Sequence, residues 1–285
     1  MSDRACIACG GGAWQALYAG LERCGQCDFV RARDVPEDEA IAQLYGPGYF
    51  RGDEYADYLG DRQVHMKNFR RRLERITTVA GKPESLYEIG CAYGFWLHTA
   101  TAAGIRAAGI DIAAEAVRHA TETLRLDATC GAFEEARLEP EQFGAYCMWD
   151  TLEHLAHPEA FVAKVAVLLP PGGWFFATTG DIGSKVAERQ QGDWRMIHPP
   201  THLQYFSRET LRRFLSRHGL ETVHIESVPM CRSVYGTLAG LERFDRGALR
   251  SAARLAGALI PSALTRRMHF WLDVGDIMLV CARKA

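Results

Sequence analysis

The run L-Y-E-I-G-C-A-Y-G-F-W, residues 86–96, decides how this chain is read. An apolar stretch passes one acid, Glu88, and ends in a turn with Gly90, Ala92 and Gly94 at alternate positions. A buried strand followed by a small-residue turn and a helix opens a parallel α/β unit, and such a turn lets the backbone approach a nucleotide closely. Two common versions do not fit. A dinucleotide loop, G-x-G-x-x-G, would need glycine where Phe95 stands, and a P-loop would need Gly-Lys-Ser/Thr to follow.

Outward from this loop, strand-like and helix-like segments alternate. A helix near 96–103 precedes A-A-G-I-D-I, and a helix near 114–124 precedes a short strand near 127–130. Then come A-Y-C-M-W-D, a helix near 158–168 and W-F-F-A-T-T. The alternation predicts parallel strands with helices on both faces, and a ligand bound beyond the carboxyl ends of the strands.

The pattern Glu88-x-Gly90-x-Ala92-x-Gly94 resembles motif I of class I S-adenosylmethionine-dependent methyltransferases, with Ala92 where that family has glycine. The resemblance continues in order through Asp111, the segment from Gly131 to Glu134, W-D-T-L-E-H-L-A-H-P at 149–158, L-L-P-P-G-G-W-F-F-A-T-T at 168–179, and the stretch 202–220. It implies an α/β, Rossmann-like seven-stranded sheet with helices on both faces, and S-adenosyl-L-methionine as cofactor. It implies a cofactor site of Glu88, Gly90, Ala92, Gly94, Asp111, Ile112, Ala132, Phe133, Trp149 and Asp150. Asp111 would accept hydrogen bonds from both ribose hydroxyls, as an acceptor-only carboxylate suits a diol. Without the family, Gly90 and Gly94 also suit a tight turn, Asp111 a helix cap, and Phe133 ordinary core.

Methyl transfer to a hydroxyl needs an aligned nucleophile and a proton acceptor. His154 follows the strand that ends in Trp149 and Asp150, while His198 and His202 lie in a proline-containing loop; these three are the candidate bases. Each also suits a bracing role. Asp150-x-x-Glu153-His154 is similar to the metal cluster of ubiquinone-type O-methyltransferases, but its second histidine is not identifiable from spacing.

Cys6-x-x-Cys9 and Cys24-x-x-Cys27 are two close pairs whose thiolates can wrap one tetrahedral ion, so a structural zinc held by Cys6, Cys9, Cys24 and Cys27 is expected. A module this short draws most of its folding energy from metal, and its loss is expected to leave the central sheet folded. The expected organisation is a zinc ribbon at 1–35, a helical and aromatic lid and linker at 36–80, and the main domain at 81–285 with a helical insertion near 230–272. Aromatics beside glycines in L-Y-G-P-G-Y-F, residues 44–50, suit a mobile lid or a packed surface loop. In K-N-F-R-R-R-L-E-R-I, Phe69, Leu73 and Ile76 mark one helical face. The insertion is basic and apolar, fitting a substrate cap, a homodimer contact or a surface helix touching membrane.

With 285 residues and a formal net charge of −2, the chain can bury a full core and has no general pull toward nucleic acid. The start carries no export signal and no apolar run spans a bilayer, so a cytoplasmic location is expected. The expected function is methylation of a small-molecule acceptor at oxygen or nitrogen. Sugar C-methylation, ribosomal-RNA methylation and a non-catalytic cofactor-binding scaffold are the rivals.

Overall fold

The computed structural model describes residues 5–36, 57–244 and 248–285. The aromatic run at 44–50 lies outside them, as do the side chains of 243–249. The elements in chain order are β1 (Trp14–Ala16), β2 (Leu21–Cys24), β3 (Val30–Ala32), α1 (Arg62–Ala80), β4 (Ser85–Ile89), α2 (Phe95–Ala102), β5 (Arg106–Asp111) and α3 (Ala114–Arg118). There follow β6 (Asp127–Cys130), β7 (Ala145–Trp149), α4 (Pro158–Leu168), β8 (Trp174–Gly180), α5 (Lys185–Gln190), β9 (Gln204–Tyr205), α6 (Arg208–Ser216) and β10 (Leu220–Ser227). The chain ends with β11 (Met230–Ser233), α7 (Val234–Phe244), α8 (Ala248–Leu259), α9 (Ser262–Arg267), β12 (His269–Leu272) and β13 (Ile277–Lys284).

Seven strands form the central sheet in the order β10-β13-β8-β7-β4-β5-β6. Strands β4 and β7 are buried along their whole length, as continuous apolar runs between two helical layers must be. The neighbours from β8 to β6 pair in parallel, while β13 runs antiparallel to both β8 and β10. From β4 the chain winds outward to β5 and β6, then returns to the other side of β4 as β7. That reversal opens a crevice beyond the carboxyl ends of β4 and β7, where the glycine turn lies.

A second sheet, β1-β2-β3-β9, draws three strands from the cysteine module and one from the main domain. Val30 pairs with Tyr205 and Arg31 with Gln204, and Phe29 lies 5.1 Å from Phe206 between ring centroids. Cys6, Cys24, Cys27 and Phe29 share one continuous apolar cluster with Phe206, Leu211 and Phe214. The cysteine module is therefore joined to the sheet domain by backbone pairing and core packing. That bears against its expected independence.

Helix α1 turns its expected face inward, Leu73 packing half-buried on the cluster that holds Phe69 and Ile76, and it buries more besides. Its buried residues are Val64, Asn68, Phe69, Arg72 and Ile76, with Leu73 only half-buried. Two polar side chains are tolerated there because each has a partner. Asn68 donates to the carbonyl of Cys231 (3.1 Å) and accepts from its N–H (2.7 Å), and Arg72 reaches Asp150. Residues 230–272 leave the body as β11, three helices and β12, with β11 and β12 paired antiparallel. Among the described residues no helix is long and apolar enough to cross a membrane.

Candidate active site

The turn after β4 holds Gly90, Ala92 and Gly94 at φ of 80°, 43° and 76°. A Cβ on Gly90 would lie 2.6 Å from Thr151 Oγ1, and one on Gly94 would lie 2.9 Å from the side chains of Ala120 and Leu126. Close approach and left-handed backbone together require glycine at both. Ala92 adopts the same left-handed region despite its methyl, a strain of the kind that gathers at functional sites.

That strained residue is tied to the next strand. The Ala92 N–H donates to Asp111 Oδ2 and the Ala113 N–H to Oδ1, each at 2.8 Å. Both oxygens keep further lone pairs. Burial raises the Asp111 pKa, against the pull of these backbone donors. Ile112 beside it is 46% exposed, leaving an apolar surface at the strand end. Glu88 is buried beneath, its carboxyl pushed well above the ordinary range by burial and by Asp111, and its Oε2 has no hydrogen-bond partner.

Phe133 points into the core against Phe161, 5.7 Å between centroids, and Tyr87. The turn around it is fixed by Lys164, whose Nζ donates to the carbonyls of Phe133 (2.7 Å), Glu134 (3.0 Å) and Ala136 (2.6 Å). What this turn offers the crevice is Ala132 and its backbone. Trp149 is buried edge-on against Trp96 at 4.7 Å.

Beyond β7 the backbone turns left-handed at Asp150, φ 51°. Arg72 Nη2 donates to Asp150 Oδ2 (2.7 Å) and Thr178 Oγ1 donates to Oδ1 (2.8 Å). Burial alone would raise this carboxyl, but Arg72 together with the Thr178 hydroxyl holds the pKa below the usual range. Arg72 and Thr178 were not anticipated from the sequence. Arg72 lies three residues after Phe69 and four before Ile76, so its place on the buried face was the available signal.

Three residues on, one turn of 3-10 helix, Leu152–His154, brings Glu153 and His154 inward. The loop before β9 carries His202 to them. One ligand-type atom from each of Glu153, His154 and His202 lies within 4.8 Å of the others, and all three residues are buried. His202 thus stands where spacing gave no second histidine, while Asp150 is engaged elsewhere. His198 stacks on His202 at 3.8 Å and is half-buried, one step further out.

Hydrogen bonds orient both inner imidazoles. His154 Nδ1 is 2.9 Å from the Thr201 carbonyl and His202 Nδ1 is 2.8 Å from the Met196 carbonyl. A carbonyl only accepts, so each Nδ1 carries the proton and each Nε2 the lone pair. Burial pushes His154 down to about 4 and His202 well below its ordinary value. Burial, then the charge of Asp150, pushes Glu153 up to about 8, and its Oε2 has no hydrogen-bond partner.

The cysteines converge away from this crevice. Cys6 and Cys27 sulfurs are 3.5 Å apart, Cys9 and Cys24 are 3.6 Å apart, and all four lie within 4.8 Å. A zinc–thiolate tetrahedron has sulfur–sulfur edges of roughly 3.8 Å, so the set is compatible with one structural zinc.

The strand order, the crevice at its reversal and the Asp111-tethered turn define a Rossmann-like methyltransferase. The chain belongs to the methyltransferase domain family, whose model matches residues 58–225. It is an S-adenosylmethionine-dependent methyltransferase. It is 31% identical over 113 residues to the ubiquinone biosynthesis O-methyltransferase of Chromobacterium violaceum, a match covering 38% of this chain and 48% of that one. The protein of the same name from Burkholderia pseudomallei is 29% identical over 170 residues, covering 55% of this chain and 73% of the relative. In its fold the chain is similar to a SAM-dependent methyltransferase from Archaeoglobus fulgidus, with TM-score 0.54, 17% identity, and 80% and 99% of the two chains covered. It is also similar to the cyclase SpnF, with TM-score 0.50, 18% identity, and 75% and 81% covered. Likeness at that level speaks for the fold alone.

Proposed function

We infer that the protein methylates a hydroxyl of a small-molecule acceptor, with Glu153, His154 and His202 forming the acceptor-side cluster. The observation that carries this is the convergence of a partnerless buried carboxylate oxygen and two carbonyl-oriented imidazoles at the end of β7. An imidazole whose second nitrogen is held by a carbonyl is how proteins orient metal-ligating histidines, so the three donors fit a divalent cation. The relatives named as ubiquinone biosynthesis O-methyltransferases support oxygen over nitrogen.

On the cofactor side, the turn at Gly90, Ala92 and Gly94 admits the cofactor's backbone-contacting part. Asp111 takes the ribose hydroxyls, and Ile112 with the backbone at Ala132 and Phe133 flanks the adenine. Glu88, Trp149 and Asp150 shape the end nearest the sulfonium, with Asp150 held by Arg72. Cys6, Cys9, Cys24 and Cys27 hold zinc in a structural role.

Burial favours an assisted site over histidine alone. It holds the His154 imidazole well below its ordinary range, which makes it a weak acceptor for a phenolic proton. A divalent cation held by Glu153, His154 and His202 would supply Lewis-acid polarisation and so acidify the acceptor oxygen. Glu153, His154 and His202 hold the acceptor in line with the methyl group, and the buried wall of Trp149 keeps water from the sulfonium.

Transfer of labelled methyl groups to a catechol-containing acceptor set tests this, with magnesium titrated against a chelator and zinc content followed in parallel. The expected result is magnesium-dependent product, and a loss of about 10²-fold or more in His202→Ala with unchanged S-adenosylhomocysteine affinity. Turnover indifferent to chelator, to His154→Ala and to His202→Ala would refute the reading.

A further inference from the structure

We propose that the excursion from β11 to β12 seats this protein on an anionic lipid surface. Nine of the twelve exposed large apolar side chains among the described residues fall between Leu255 and Val274, so the exposure is a local feature and not a scattered one. Leu255 and Leu259 on α8 are 62% and 72% exposed. Along β12, Phe270, Trp271 and Leu272 are all exposed, which puts apolar side chains on both faces of the strand. Exposed apolar side chains gathered in one excursion of the chain mark an interaction site.

Its charge selects the occupant. From Gly247 to Val274 the sequence holds Arg250, Arg254, Arg266 and Arg267 against one acid, Asp273, in a chain whose formal net charge is −2. Arg266 is committed inside the molecule, to Asp57 at 2.8 Å and over the ring of Tyr235 at 3.7 Å. Arg254 and Arg267 are exposed, and α1 extends the basic rim with exposed Arg71, 5.2 Å from the Trp271 ring, and Lys67, 2.9 Å from His269 Nδ1. A second copy joined by two-fold symmetry would bring a second basic rim to the same interface, with Asp273 the one acid of the segment to answer it. A nucleic acid would answer the charge but not the leucines. An anionic bilayer answers both: the acyl boundary takes the leucines and aromatic rings while the headgroups take the guanidinium groups.

The placement suits an enzyme. Helix α1 turns Lys67 and Arg71 toward this surface and Asn68 and Arg72 inward, the latter onto Asp150. The docked face and the crevice are thus two sides of one helix.

Flotation of the full chain with vesicles tests the proposal, comparing phosphatidylcholine mixed with phosphatidylglycerol against phosphatidylcholine alone. The chain should float with the mixed vesicles, weakly with the neutral ones, and less as salt is raised. The double variants Leu255→Ser with Leu259→Ser, and Arg254→Glu with Arg267→Glu, should each lose about tenfold or more of the partitioning while circular dichroism and S-adenosylhomocysteine affinity stay unchanged. Absence from both kinds of vesicle overturns the proposal, as does binding that neither variant reduces. A dimer in sedimentation that the leucine variant dissolves, with no flotation of the parent, assigns the face to a second copy and overturns it too.

Discussion

Asp111 does two jobs with one carboxylate: it ties Ala92 and Ala113 in place and keeps lone pairs for a diol. Asp111→Ala removes a charged acceptor worth about 1.5–3 kcal/mol per hydrogen bond, so calorimetry should show S-adenosylhomocysteine affinity falling by about tenfold or more. Equal affinities would detach Asp111 from the ribose. Gly90→Ala is a sharper test, because the new methyl meets Thr151 at 2.6 Å on a backbone with φ of 80°. That variant should be less stable by about 1–3 kcal/mol in chemical denaturation and bind the cofactor poorly. Ala92→Gly should be close to neutral. Relief of the left-handed strain and the added freedom of the unfolded chain nearly cancel, leaving stability within about 1 kcal/mol of the parent and cofactor affinity intact.

At the scale of elements, α1 is the piece whose role exceeds its appearance. Arg72→Met leaves Asp150 in a half-buried site without its guanidinium, and should cost up to about 3 kcal/mol, the low end for a buried pair because Asp150 keeps some solvent contact. The sign with pH follows from the lowered Asp150 carboxyl. Its contribution is fully present above the unfolded value near 4 and is lost as pH falls through the folded value. The gap in stability between parent and Arg72→Met should therefore be wide at pH 7 and close below about pH 4, as urea titrations at both would record. Much of this architecture was legible. Strands β4 and β7 are continuous apolar runs, β6 matches its expected span, and α4 begins at Pro158, where the fixed φ of proline suits a first turn. The partners of Asn68 and Arg72 on the buried face of α1 were not: periodicity places a residue on a face, but what lets these two polar side chains be buried lies far along the chain. His202 was named as a candidate base, but its place as the second histidine of the cluster escaped for a related reason. Spacing rules see ligands on one element, whereas His202 reaches Glu153 and His154 from a different loop.

At the scale of the whole molecule, the cysteine module and the crevice are mechanically continuous. The Ala32 N–H donates to the Leu203 carbonyl (2.8 Å), the Leu203 N–H donates to the Glu153 carbonyl (2.8 Å), and Tyr205 Oη donates to the His202 carbonyl (2.9 Å). Cys24→Ser should then lose zinc and also weaken magnesium binding at the Glu153 cluster, with a single broadened thermal transition at lower temperature. Two separate transitions with magnesium affinity preserved would show the ribbon to be independent after all. The pairing of β3 with β9 also bears on how the protein is made. The cysteine module leaves the ribosome before β4, yet the strand that completes its sheet is synthesised only after β4 to β8. A nascent chain must therefore carry the free edge of β3 through most of translation, and that edge is filled by the two residues that follow His202 and Leu203. Closure of the amino-terminal module is thus a late event in biogenesis, and it reports that the histidine loop has arrived.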